Sequence, residues 1–380
     1  MKKQKICIIN KHMGVGGVET SLMALANAIK DECDLDLYFL SFNKDSYNEE
    51  LKSFNIIKTN RFFNIAYDTQ SIKSCIKQGI KKIGQLFIKL LGKLTFLVRP
   101  FIKKEKTQYD AVIFFNCMYK EVVPIGMKKF KAKKYISFIH NDPSILSKKQ
   151  LNYIKRLGEK QQIVCVSKSC AEALETICPD LKGKVDFLYN IQNTEKILSK
   201  AQEFSVNYSN KTFNIVSVSR LGSEKAHIRS LKIMQKLHGE NFNFCWHIIG
   251  DGECRGDIEQ YIKDNNMQEY VKTYGNQNNP YPYIKNADLL YLGSIHEAAP
   301  MVFGEALTLK VPVFTTNTIS AKELVGTFGF ICENNEKSIY DELKHVLQNN
   351  KLVAEKKEKL KNYSYNNELI VQKFLNIIKG

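Results

Sequence analysis

Two short apolar runs, Ala287-Asp288-Leu289-Leu290-Tyr291-Leu292-Gly293 and Val311-Pro312-Val313-Phe314, bracket a segment that opens His296-Glu297-Ala298-Ala299-Pro300-Met301-Val302-Phe303-Gly304-Glu305. Both runs read as buried strands, and the segment between them holds a turn and one short helix. A strand, helix and strand joined this tightly form the crossover of a parallel unit. Pro300 suits the first helical turn, where a missing N–H costs nothing. Glu297 then falls in the loop over the strand end, and Glu305 falls inside the helix. The amides of Met301, Val302 and Phe303 would be free donors at the positive end of the helix dipole, which makes a cradle for phosphate. A carboxylate on each side suits a ligand with both a diphosphate and hydroxyls, such as a sugar nucleotide. The plainer alternative is a pair of solvated helix charges.

The same alternation runs along the whole chain. Ile6–Ile9 reads as a first strand, followed by the loop Gly14-Val15-Gly16-Gly17-Val18-Glu19 and a helix with Leu22, Leu25, Ala26 and Ile29 on its inner face. The loop lacks the GxGxxG dinucleotide fingerprint but lets another group approach the backbone. Further buried runs lie at 35–41, 111–115, 135–140, 163–166 and 185–191, then at 213–219, 244–249 and 271–275. Strands alternating with helices in both halves predict an α/β chain of two doubly wound domains with the ligand cleft between them. The polar stretch 194–212 puts the boundary near 190, giving domains 1–190 and 191–361, with 362–380 as a helix returning to the first domain. His140 ends a strand where open α/β sheets place ligands, so it is a site candidate. Arg220 follows a strand directly and Lys225 lies in the loop beyond, two cations placed for a diphosphate. Gly250-Asp251-Gly252 forms a sharp turn after the next strand.

Charge narrows the function classes. The net charge is +17, and residues 72–106 carry ten Lys and Arg against Glu105 alone. Within them Ile72, Ile76, Ile80, Ile83, Phe87 and Leu91 recur at helical spacing beside Lys73, Lys77, Lys81 and Lys89. That pattern predicts an amphipathic cationic helix, which either lies on an anionic membrane surface or packs its apolar face on its own domain. No zinc knuckle, helix-turn-helix or aromatic–basic stacking signal supports a nucleic-acid partner. The ten cysteines form no CxxC pair and several sit in apolar runs, which fits a reducing, cytoplasmic setting. No run is long and apolar enough to predict a membrane-spanning helix, and four apolar residues after Lys5 are too few for a signal sequence.

These residues resemble a known family. Glu297 and Glu305 match the Glu-x7-Glu motif of the family 4 glycosyltransferases, the retaining class with the GT-B fold. Arg220 and Lys225 match its Arg and Lys, Gly16-Gly17-Val18-Glu19 its glycine-rich loop, Gly250-Asp251-Gly252 its Gly-Asp-Gly turn, and His140 the histidine of an N-domain strand. The resemblance covers nearly the whole chain and is strongest over 213–335. It departs at Ala298, where Gly is usual, and at Asn190-Ile191, a shortened form of the N-domain closing motif. It implies a hexosyltransferase, metal-independent and without cofactor. In it His140, Glu297, Arg220 and Lys225 would serve catalysis. Gly16, Gly17, Gly250, Ala299, Pro300, Met301, Val302 and Glu305 would bind the donor. The implied donor is a nucleotide sugar, UDP-linked by preference. The implied acceptor is a glycan, soluble or polyprenyl-diphosphate-linked, in capsule or lipopolysaccharide synthesis at the inner face of the cell membrane. The alternative is an inactive glycosyltransferase-like subunit that docks on a partner at the membrane.

Overall fold

The computed structural model describes residues 3–14, 16–41, 48–57 and 102–379. The chain divides into two units: Met1–Ile191 together with Glu368–Gly380, and Gln192–Asn367.

In the first unit the strands are β1 (Gln4–His12), β2 (Cys33–Ser41), β3 (Asn55–Ile57), β4 (Gln108–Phe114), β5 (Lys131–Ile139), β6 (Gln162–Cys165) and β7 (Val185–Phe187), in the order β3-β2-β1-β4-β5-β6-β7. All neighbours run parallel. Such strands are covered on both faces, so they read as unbroken apolar runs; Ile6, Cys7, Ile8 and Ile9 are all fully buried. The sequence does hold an Asp-x-Asp triplet, Asp34-Leu35-Asp36, in β2. Its carboxylates serve the sheet: Asp34 pairs with Lys5 at 2.8 Å, and Asp36 accepts from the Tyr109 hydroxyl at 2.6 Å and from Asn55. Helix α1 (Gly17–Ile29) buries the predicted face of Leu22, Leu25, Ala26 and Ile29. The last helix starts at Asn367, not at 362, and runs to Lys379. It docks on this unit: Lys134 Nζ donates to the Ile377 carbonyl at 2.7 Å, and Lys373 pairs with Asp186 at 3.0 Å.

The second unit repeats the pattern. Its strands β8 (Phe213–Val218), β9 (Phe244–Ile249), β10 (Val271–Thr273), β11 (Leu289–Leu292), β12 (Val313–Thr316) and β13 (Gly329–Cys332) lie in the order β10-β9-β8-β11-β12-β13, again all parallel. Trp246 is fully buried, and its indole donates to Ser217 Oγ at 2.9 Å, which in turn donates to the Tyr291 carbonyl at 2.6 Å. The indole N–H and the Ser217 hydroxyl are thus both satisfied.

Each sheet starts at an inner strand and winds both ways, so the order reverses between β1 and β4 and between β8 and β11. Loops at the carboxyl ends of strands flanking such a reversal diverge and leave a crevice for ligands. In the second unit those loops carry Arg220, Lys225 and Glu297.

The cationic helix read within 72–106 lies outside the described residues; only 102–106 are described, and they are irregular. Among the described residues no helix is long and apolar enough to cross a membrane.

Candidate active site

Beyond β8 the chain stays close to the turn after β9. Leu221 N donates to the Asp251 carbonyl at 2.9 Å, and Cys254 N to the Leu221 carbonyl at 2.9 Å. Gly250 sits at φ 141, and a methyl there would overlap the Ser219 carbonyl; at Gly252 a methyl would meet the Leu221 carbonyl at 2.5 Å. The Gly-Asp-Gly turn therefore lets two backbones pass and fixes the stretch bearing Arg220. Gly250→Ala is expected to destabilise the protein by roughly 2–4 kcal/mol, read as a lower urea midpoint, since strained φ and backbone overlap add. A midpoint equal to wild type would mean that the turn relaxes freely.

The two cations expected to act together are separated by their partners. Arg220 is 65% exposed at its side chain and pairs with Glu224 at 2.8 Å and, more loosely, with Glu253 at 3.9 Å. These carboxylates hold its guanidinium above its ordinary pKa, the Glu224 hydrogen bond contributing most. Lys225 turns inward. After the one-turn helix Ser223–Lys225, Ala226 adopts a left-handed φ of 52 and sends the chain into α2 (His227–Gly239). Lys225 Nζ donates to Glu297 Oε1, with side-chain exposures of only 16% and 9%.

Glu297 is braced from its own loop. Ser294 Oγ donates to the same Oε1 at 2.6 Å, and the Ser294 carbonyl accepts from Thr316 Oγ1 at 2.6 Å. The Ile295 amide donates to the Glu224 carbonyl at 2.8 Å, tying the loops after β8 and β11 together. Lys225 and Glu297 thus bridge the strand-order reversal, and both of these contacts fall on Oε1, with none to Oε2 among the described residues. Ser294 was not singled out in the sequence; its only sign there is its place three residues before Glu297.

Helix α3 (Met301–Thr308) departs from expectation at its start. Pro300 is the N-cap, with extended backbone, not a residue of the first turn. The Phe303 amide donates back to the Pro300 carbonyl at 3.2 Å, so the predicted trio of free amides reduces, among the described residues, to Met301 and Val302. Ala299 precedes them in the loop. Glu305 lies one turn into the helix, 8% exposed, and its carboxylate has no hydrogen-bond partner among the described residues. Burial alone pushes its pKa up to about 7.

The other expected residues belong to the first unit. His140 follows β5, and its ring hydrogen-bonds the Phe115 backbone. Its Nε2 is buried without a partner among the described residues. Burial lowers its pKa to about 4, so the imidazole is neutral and Nε2 accepts. It lines a small recess with Ser21, Phe115 and Asn190, where Ser21 Oγ donates to Asn190 Oδ1 at 2.7 Å. Gly17 opens α1. A methyl at Gly16 would meet the Glu19 carboxylate at 2.7 Å, so this glycine makes room for Glu19, which is 6% exposed. Beside Glu19 stands His12, Nδ1 to Oε1 at 3.6 Å, a neighbour the sequence reading missed because nothing in its spacing marks it. Among the described residues no three His, Cys, Asp or Glu side chains gather as a metal site.

Two doubly wound parallel sheets with this strand order make up the GT-B fold. Residues 199–367, which fall within the second unit, match the family "Glycosyl transferases group 1". The chain is 32% identical over 182 residues to a Campylobacter jejuni N-acetylgalactosamine-N,N'-diacetylbacillosaminyl-diphospho-undecaprenol 4-alpha-N-acetylgalactosaminyltransferase, covering 47% of this chain and 48% of that one. It thus spans about half the length of that relative. An uncharacterized glycosyltransferase of Haemophilus influenzae aligns at 24% identity over 100% of both chains. In fold the chain is similar to HepE of Anabaena, solved in complex with UDP and glucose, at TM-score 0.71 and 14% identity over 99% of each chain.

Proposed function

We propose that the chain is a retaining glycosyltransferase moving a hexose from a UDP-sugar to a glycan acceptor. The observation that carries this reading is the buried Lys225–Glu297 pair on the same connection as Glu305, a buried carboxylate with no hydrogen-bond partner among the described residues. In the reading, the donor diphosphate rests on the Met301 and Val302 amides and on Lys225. Arg220 is close enough in sequence to join once phosphate competes for it with Glu224. Glu305 accepts the ribose hydroxyls, and Glu297 Oε2 accepts a hydroxyl of the transferred sugar. The acceptor hydroxyl oxygen bonds to the anomeric carbon on the face the diphosphate leaves. The bond from that carbon to the phosphate oxygen breaks, and the phosphate takes the hydroxyl proton. Lys225 and the helix amides stabilise the charge that develops on the leaving group. His140, on the first unit and neutral, is suited to accept a hydroxyl hydrogen bond. No step calls for a metal or cofactor.

A polyprenyl-diphosphate-linked acceptor is supported by the diphospho-undecaprenol substrate in the Campylobacter relative's name, and by the cationic stretch 72–106. In this reading the protein works at the inner face of the cell membrane in surface polysaccharide synthesis. Hydrolysis of a panel of nucleotide sugars tests the donor half. Lys225→Ala should lower the rate by about 100-fold or more, as expected when a group facing the leaving group's charge is lost, and Glu305→Ala should lower it through weaker donor binding, as expected when charged hydrogen bonds to the ribose are lost. Equal rates in all three proteins would remove both residues from the site. Sedimentation with vesicles tests the membrane half. Vesicles containing anionic lipid should carry the protein down, and changing Lys77, Lys81, Lys82 and Lys89 to Glu should release it. Unchanged binding would contradict it.

A further inference from the structure

Gln192 is the first residue of the second unit and Asn367 the last, so the chain enters and leaves the unit at these two positions. They hold each other. The Gln192 amide donates to Asn367 Oδ1 at 3.1 Å, and Asn367 Nδ2 donates to the Gln192 carbonyl at 2.7 Å. The side chain of Gln192, 3% exposed, reaches 109 residues along the chain and donates from Nε2 to the Met301 carbonyl at 3.0 Å. That carbonyl belongs to the first turn of α3, whose outward amides include the two free donors. A methyl at Gly304 would meet the Gln192 amide carbon at 2.8 Å, so the glycine beside Glu305 is the seat on which this side chain rests.

We propose that Gln192 is a positioning residue for the diphosphate cradle, and that the Gln192–Asn367 pair links the cradle to both points where the chain passes between units. A first turn is the least secured part of a helix, because its amides have no helical acceptors. The amide of a buried glutamine bonded to its first carbonyl, with its own backbone clamped by Asn367, fixes the direction in which Met301 and Val302 point. Gln192 lies outside the matched family region, 199–367. The proposal rests on reading the α3 start as the donor site, so its test includes an arm that needs no ligand.

Gln192→Met keeps the length and volume of the side chain and removes the donor. In the free protein, amide hydrogen exchange at 301–305 should quicken by about tenfold, as for one lost hydrogen bond, while exchange in β8 and β11 stays as in wild type. Calorimetry with UDP as the probe should show affinity lower by about tenfold in Gln192→Met. Gly304→Ala should weaken UDP binding in the wild-type background but cost nothing further in Gln192→Ala, where the space is vacant. That pattern is beyond a residue acting only as packing. Wild-type exchange at 301–305 in Gln192→Met would overturn the proposal, and so would faster exchange with unchanged UDP affinity. Failure of the wild type itself to bind UDP would count against the donor reading instead, and exchange would then decide the role of Gln192.

Discussion

Lys225→Ala is expected to cost about 3–5 kcal/mol of stability, because it strands the Glu297 carboxylate, 9% exposed at its side chain, with only the Ser294 hydroxyl for company. Glu297→Ala should cost less, since Lys225 is the more exposed partner and its long stem can carry the ammonium to water. The double variant should be more stable than Lys225→Ala alone, because a charge that is absent needs no partner. Chemical unfolding of the four proteins reads this as a coupling between the two sites. Additive losses would mean that the pair is not an interacting unit. This matters for activity assays as well. An inactive Lys225→Ala protein is informative only at a temperature where it stays folded.

Glu305 sets the second large effect, and its sign follows from burial. The carboxyl has an ordinary value of 4.5 and is raised to about 7 in the folded protein. Between those values the folded state holds a proton that the unfolded state has released. Stability therefore falls as pH rises from about 4.5 to about 7, and the full penalty remains above that. A displacement of this size corresponds to roughly 3 kcal/mol. Glu305→Gln should leave stability unchanged near pH 4 and raise it by an amount of that order at pH 8, read as the pH dependence of the melting temperature. Nucleotide affinity should run the other way. Ribose hydroxyls donate to a carboxylate, so UDP should bind more tightly as pH rises through 7, and Glu305→Gln should lose that dependence along with most of the affinity. A flat affinity profile in the wild type would mean that the group does not contact the ligand.

The fold was legible because parallel strands covered on both faces leave apolar runs too short for helices, as at Ile6–Ile9 and Leu289–Leu292. The placement of Glu297 in a loop and Glu305 in a helix followed from the same pattern. What stayed hidden depended on contacts between distant residues. The sequence puts Arg220 and Lys225 five apart, as if for one task, yet the fold gives the first to Glu224 and Glu253 and the second to Glu297. An Arg220–Glu224 pair four residues apart could have been anticipated; a Lys225–Glu297 pair could not. Pro300 fits an N-cap as well as a first turn, and only the geometry distinguishes them. The glycine loop at Gly16 and the sharp turn at Gly250 were legible, but not the atoms they make room for, the Glu19 carboxylate and the Ser219 carbonyl. Gln192 carries no local signal at all, because its partner is Met301.

Everything proposed for the chemistry reduces to acidic and basic side chains at one sheet's strand reversal receiving a nucleoside diphosphate. A structure determined with UDP bound addresses this without intermediaries. The expected result is diphosphate oxygens on the amides of Met301 and Val302 and on Lys225 Nζ, with the ribose hydroxyls on Glu305. Nucleotide lodged away from residues 293–305, or Glu305 still unpartnered beside a bound ribose, would contradict it.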